Sequence, residues 1–80
     1  MHNSIYMKAR DLSDQLSVAG LEAEAEGIRE AMSAGATATE ILMALRWNLQ
    51  SLEDGPGSVP AVLKRRARQL TNSISKVLGF

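Results

Sequence analysis

Apolar residues recur at intervals of three and four through four stretches of this chain, and three of those stretches stop at a glycine. Such spacing marks one face of an α-helix rather than the alternation of a strand. The first stretch carries Ile5, Ala9, Leu12, Leu16 and Ala19. Asn3 or Ser4 offers a side-chain oxygen for its unpaired first-turn N–H groups, and Gly20 suits a left-handed position past its end. The second carries Leu21, Ala25, Ile28 and Met32, with Glu22, Glu24 and Glu26 near the positive end of the helix dipole and Gly35 as its stop. Gly27 stands inside it, where glycine costs about 1 kcal/mol relative to alanine, and marks either a weak point or a break.

The third stretch has the firmest start. Thr37 and Glu40 match the S/T-x-x-E capping box, with Ala36 and Ile41 at the positions of a hydrophobic staple. Ala38, Ile41, Leu42, Leu45, Leu49 and Leu52 follow as its stripe, and Glu53-Asp54-Gly55-Pro56-Gly57 breaks it. Ser58 is the expected cap of the fourth stretch, with Pro60 in its first turn and Val59, Leu63, Ala67, Leu70, Ile74 and Val77 as its stripe. The pattern predicts helices over 4–19, 21–34, 38–52 and 59–78, and an all-α fold: a compact bundle of about four short amphipathic helices in one domain, residues 1–80.

Eighty residues leave that bundle few reinforcements. A chain of this length buries only about 60% of its unfolded surface. Cysteine is absent, which excludes disulfides and thiolate metal sites, and His2 is the only imidazole. Tyr6, Trp47 and Phe80 are the only aromatic residues, so the core must be aliphatic. No stretch reaches the roughly 18 consecutive apolar residues of a membrane span. The first eleven residues lack the apolar run of a signal peptide, and cytoplasmic residence is the expectation.

Net charge is zero, but its distribution is lopsided. Residues 1–57 hold four cations against nine acids, and residues 58–80 hold Lys64, Arg65, Arg66, Arg68 and Lys76 with no acid. The −5 and +5 halves invite pairing of the basic fourth helix with the acidic second one. On that expectation the chain ignores nucleic acid. Lys64, Arg65 and Arg68 are the basic docking candidates, and Arg66 falls at the edge of the apolar stripe, its stem packed and its head free. Glu22, Glu26 and Glu30 form an acidic ridge, read either as a solvated face supported by Arg29 or as a docking ridge for a basic partner.

Nothing in the chain pairs a nucleophile with a base or gathers metal ligands. Asp11 and Asp14 fall on the polar side of the first helix, and Gly55-Pro56-Gly57 is too short for a phosphate loop. No catalysis and no cofactor are expected. Residues 28–45 echo a helix-turn-helix at Ala31, Gly35 and Ile41, but the helix that would read DNA brings Glu40 and one base, Arg46.

Trp47 does not fit the stripe of its own helix. With Ile41 at 0° and 100° per residue, the stripe spans about 0–100°, Met43 falls near 200° and Trp47 near 240°. Either the third helix is buried on both sides, or Met43 and Trp47 form an exposed anchor pair on a partner-binding face flanked by Glu40, Arg46 and Gln50. A bundle of four helices can enclose one of them, which speaks for burial, whereas a domain this small has few atoms to cover a second face. Both readings stay open, and Met43 and Trp47 are expected to be at least partly exposed.

The run Gly35-Ala36-Thr37-Ala38-Thr39-Glu40-Ile41-Leu42-Met43-Ala44-Leu45-Arg46-Trp47-Asn48-Leu49 resembles a segment of short uncharacterised bacterial helical proteins, over about residues 12–52. In size and split charge the chain also resembles, more loosely, immunity proteins and antitoxins that block a bacterial toxin. That resemblance implies a non-enzymatic binding protein acting by occlusion. The expected partner is a protein, either a toxin or a second copy, and not a membrane. A nucleic-acid regulator using the fourth helix and a structural dimer are the alternatives.

Overall fold

Each apolar stripe becomes the inner face of a helix. The computed structural model describes residues 3–35, 37–55 and 57–80. It contains α1 (Asn3–Val18), α2 (Glu22–Ala34), α3 (Ala38–Glu53) and α4 (Ala61–Leu78). Among the described residues there is no strand, and no helix is long and apolar enough to cross a membrane. Each helix packs on the next, and α4 returns to α1. Among the described residues the backbones of α1 and α3, like those of α2 and α4, do not approach closely and lie on the diagonals of the bundle. The side-chain registers give the directions. Arg46 meets Ser75 while Glu53 meets Arg68, so α3 and α4 run antiparallel. Gly27 lies against Asn48 while Gly35 lies against Ile41, so α2 and α3 do too. The fold is an up-down-up-down four-helix bundle.

Its core is wholly aliphatic. Leu16, Ile28, Leu42, Leu45, Leu49 and Ile74 are fully buried, with Ala9, Ala25 and Ala67 letting the helices close on one another. Tyr6 packs against this cluster only partly buried. Two polar residues are buried that the apolar spacing does not reveal. Ser13 donates to the carbonyl of Arg10 at 2.6 Å. The Thr71 hydroxyl lies 2.9 Å from the Ala67 carbonyl and 3.2 Å from the Glu53 carboxylate. Local partners of this kind make a small hydroxyl tolerable inside a helix bundle.

The glycines act by different means. Gly20 has φ 82°. Its N–H bonds the Ser17 carbonyl and the Leu21 N–H bonds Leu16, the Schellman pattern expected of a left-handed stop. Gly35 is extended, with φ −86° and ψ 146°, and is glycine for room: a Cβ there would stand 2.8 Å from Ile41 Cγ1 and from the Ile41 nitrogen. Gly27 does not break α2. The helix runs through it, and a Cβ would stand 2.8 Å from Asn48 Oδ1.

Several expected ends move. α1 begins at Asn3, so Asn3 and Ser4 belong to its first turn and its cap falls outside the described residues. Thr37 caps α3 as expected, its Oγ1 accepting the Glu40 N–H at 3.2 Å. The returning half of the capping box differs: the Glu40 carboxylate accepts from the Thr37 hydroxyl at 3.1 Å in place of the Thr37 N–H. The expected staple partner Ala36 lies outside the described residues. Ser58 does not cap α4, which starts at Ala61 after Pro60. The cause is Pro60 itself, because a residue preceding proline is driven out of the helical region and Val59 cannot be a helical residue. Val59 is buried all the same. Ala19, Ala38 and Val77 lie outside the core, and Leu78 takes the inward place expected of Val77. Thr71, which reaches Glu53, extends the buried stripe of α4 towards α3.

Two stability measurements follow. Thr37→Ala should lower the unfolding free energy by about 1 kcal/mol in urea melts, and Thr39→Ala, at an exposed position, by no more than about 0.5 kcal/mol. Gly27→Ala alone should not stabilise the bundle. In an Asn48→Ala background the same change should add about 1 kcal/mol of helix propensity. Additive effects would mean that α2 and α3 do not meet at this point.

Candidate functional site

α3 touches α2 on one side and α4 on the other, and among the described residues nothing covers its back. Leu42, Leu45, Leu49 and Leu52 are its buried residues. Trp47 projects about 180° from the middle of that row. It is 71% exposed and Met43 is 52% exposed. α3 is therefore not buried on both sides: its second face is open, and Glu40, Ser51 and Asp54 border the Met–Trp pair.

The five residues grouped around this face are not equivalent in space. Glu40 is exposed but engaged with Thr37 at the helix start. Arg46 turns away towards α4. Its Nε donates to Ser75 Oγ at 3.0 Å, and its guanidinium lies 4.7 Å from the centre of the Phe80 ring. That stack resembles a cation–π contact, and it leaves Arg46 half-buried as a clamp between helices. Gln50 is half-buried and lines a shallow polar groove with Glu53, Asp54, Arg68, Thr71 and Asn72. Of the five, Met43 and Trp47 are the ones that are exposed without a side-chain hydrogen bond or ion pair among the described residues. Phe80, 72% exposed, lies against the Arg46 guanidinium and is not among the expected residues. Its placement follows from Gly79: with φ 86°, Gly79 ends α4 in a second Schellman turn, and the Phe80 N–H folds back to the Ser75 carbonyl at 2.8 Å. The glycine next to the last residue was the available signal.

The charged faces are arranged differently from the expected pairing. Arg29 gathers the acids near it, with Nη2 at 3.2 Å from Asp14 and Nη1 at 3.8 Å from Glu26 and 4.0 Å from Glu22. It also donates to Ser17 Oγ and so ties α1 to α2. Exposed pairs like these contribute about 0–1 kcal/mol each. Glu22 and Glu26 thus belong to a solvated face that Arg29 offsets only in part, and Glu30 is exposed beyond it. Asp11 is likewise exposed and accepts from Gln15. The basic helix does not pair with this face. α4 sits diagonally across the bundle from α2, because chain order makes α1 and α3 its neighbours. Arg68 pairs with Glu53 of α3 at 3.3 Å, Lys64 reaches the Gly55 carbonyl at 3.4 Å, and Arg66 donates to Gln15 Oε1 of α1. Arg65 points outward, and among the described residues its side chain makes no hydrogen bond or ion pair.

The helix-turn-helix echo is not realised. α2 and α3 lie side by side as far as Gly27 and Asn48, whereas that motif crosses its helices at roughly 90–120°. His2 lies outside the described residues, and among those described no three His, Asp or Glu side chains converge as metal ligands.

Comparison with protein-family models, with curated proteins and with solved structures finds no match to this chain. Its open α3 face must be read from physical chemistry alone.

Trp47 is the only tryptophan, so its emission reports on that face without ambiguity. Emission should be red-shifted and quenched by iodide in the isolated chain. Blue-shifted emission shielded from iodide in a monomer would contradict the geometry.

Proposed function

We propose that this chain is a small non-enzymatic helical protein that holds a protein partner on the outer face of α3. The observation that supports this reading is the exposure of Trp47 beside Met43 on a face that the bundle leaves uncovered. A tryptophan exposes on the order of 200 Å² of largely apolar surface. Covering the open part of Trp47 is worth roughly 3 kcal/mol at about 25 cal/mol per Å². Alanine there would serve folding as well, so the ring has its use in contact with something else. Trp also pairs a large flat body with an N–H donor, the combination found at interface hot spots.

In its more specific form the partner is a toxin, and the chain is an immunity or antitoxin-like inhibitor that covers the active site. The separation of acidic α2 from basic α4 gives the molecule a charge axis that would orient the encounter. A second copy of the chain is the competing occupant of the same face, and equilibrium sedimentation separates the two.

The test begins with parallel affinity capture by wild type and Trp47→Ala from the source cells, quantified by mass spectrometry. The variant should unfold within about 0.5 kcal/mol of wild type and lose the partner. Against the purified partner its Kd should rise about 30-fold, equivalent to about 2 kcal/mol. Equal capture by both proteins, or loss of folding in the variant, would count against the reading.

A further inference from the structure

We propose that the outer face of α4 is a docking surface for the phosphate backbone of duplex nucleic acid, separate from the protein-binding face of α3. The expectation that this chain ignores nucleic acid rested on pairing between α4 and α2, and the bundle does not make that pairing. α4 holds five cations and no carboxylate between Ala61 and Leu78. Its exposed residues include Arg65, Arg66, Arg68, Gln69, Asn72 and Lys76, all hydrogen-bond donors, together with Ser73 and, towards the two ends, Val62 and Val77. Arg, Lys, Gln and Asn are the side chains that contact phosphate oxygens.

Position and distance support the same occupant. Arg65 to Lys76 spans about 16 Å of helix at 1.5 Å per residue. One DNA strand carries about five phosphates over that length. Beside the row, α1 and α4 leave a groove of about 290 Å³ with Leu12 and Leu70 in its wall. Lys8, Gln15, Arg66 and Ser73 also line it, and Asp11 is its one carboxylate. On the other side Glu53 holds Arg68, yet the Arg68 side chain remains 73% exposed. The acids of α2 lie across a molecule 22 Å by 18 Å in its shorter dimensions. That exceeds the screening length of about 8 Å at physiological salt, so they neither neutralise α4 nor repel its ligand strongly.

The chemistry also selects among anions. Val62 and Val77 are the large apolar residues exposed on α4, and every exposed position between them is polar. This face therefore offers two valine edges and no aromatic or long apolar anchor of the kind that dominates protein interfaces. It has no aromatic ring either, and single strands are held by stacking on such rings. Regularly spaced backbone charge on a duplex is the remaining fit, and the binding would be independent of base sequence.

Fluorescence anisotropy with a labelled DNA duplex of about 20 base pairs tests this, with duplex RNA, single-stranded DNA and polyglutamate as parallel arms. About four phosphate contacts give a slope near −3.6 in log K against log salt. Affinity for duplex DNA should then fall about 100-fold between about 50 and 200 mM KCl. Duplex RNA should follow the same slope if only the backbone is read. Arg65→Gln with Lys76→Gln should reduce that fall to about tenfold. Neither side chain bonds elsewhere among the described residues, so the variant's thermal melt should match wild type. Trp47→Ala should bind the duplex as wild type does, which keeps this result independent of the α3 reading. Salt-insensitive or absent duplex binding, an unchanged slope in the double variant, or tighter binding to single strands or polyglutamate would overturn the proposal.

Discussion

Leu42, Leu45, Leu49 and Leu52 line one side of α3 and fill the middle of the molecule. A single helix can satisfy that demand with one stripe only, so whatever the sequence places opposite the stripe must face away from the core. The sequence places Met43 and Trp47 there. The largest side chain in the protein is thus outside a core that lacks aromatic rings, and the core closes without it because alanines at Ala9, Ala25 and Ala67 bring the helices together. Fold and candidate site are two sides of one helix.

Short loops fix the rest. With three helix junctions of a few residues each, consecutive helices become neighbours and alternate ones become diagonals. The order in which charge is written along the chain then becomes its order around the bundle. Arg29 offsets the acids of α2 only in part, and among the described residues the carboxylate paired with a cation of α4 is Glu53 of α3. An 80-residue chain of zero net charge consequently presents one face of each sign. Such a separation influences the encounter with partners far more than stability, since exposed pairs contribute little.

Helix number, type and inner faces were legible in the sequence, because burial imposes the three-and-four spacing directly on residue choice. The α3 cap was legible because a hydroxyl three residues before a carboxylate leaves little alternative. Other features depend on a neighbour that sequence does not display. Gly27 looked like a flaw until Asn48 of α3 was placed against it. Phe80 acquires a role only through Arg46, which lies 34 positions earlier and meets it across the α3–α4 seam. The partner of the basic helix was misjudged because net charge counts residues and ignores which helices touch. Ser58 was a different kind of error: the restriction that Pro60 imposes on Val59 was available locally and outweighed a favourable capping residue.

The central claim is that α3 turns one face to the core and the other to a partner. An NMR footprint of the Met43 methyl and Trp47 indole signals, taken in the isolated chain and again with the captured partner bound, tests both halves at once. In the free protein these signals should be broadened by a soluble paramagnetic probe, with no cross-peaks from the indole to Leu45 or Leu49. On binding they should be shielded from the probe, while the core methyl signals stay in place. Indole cross-peaks to the core leucines in the free chain would contradict the account, as would a bound state in which Met43 and Trp47 remain open to the probe.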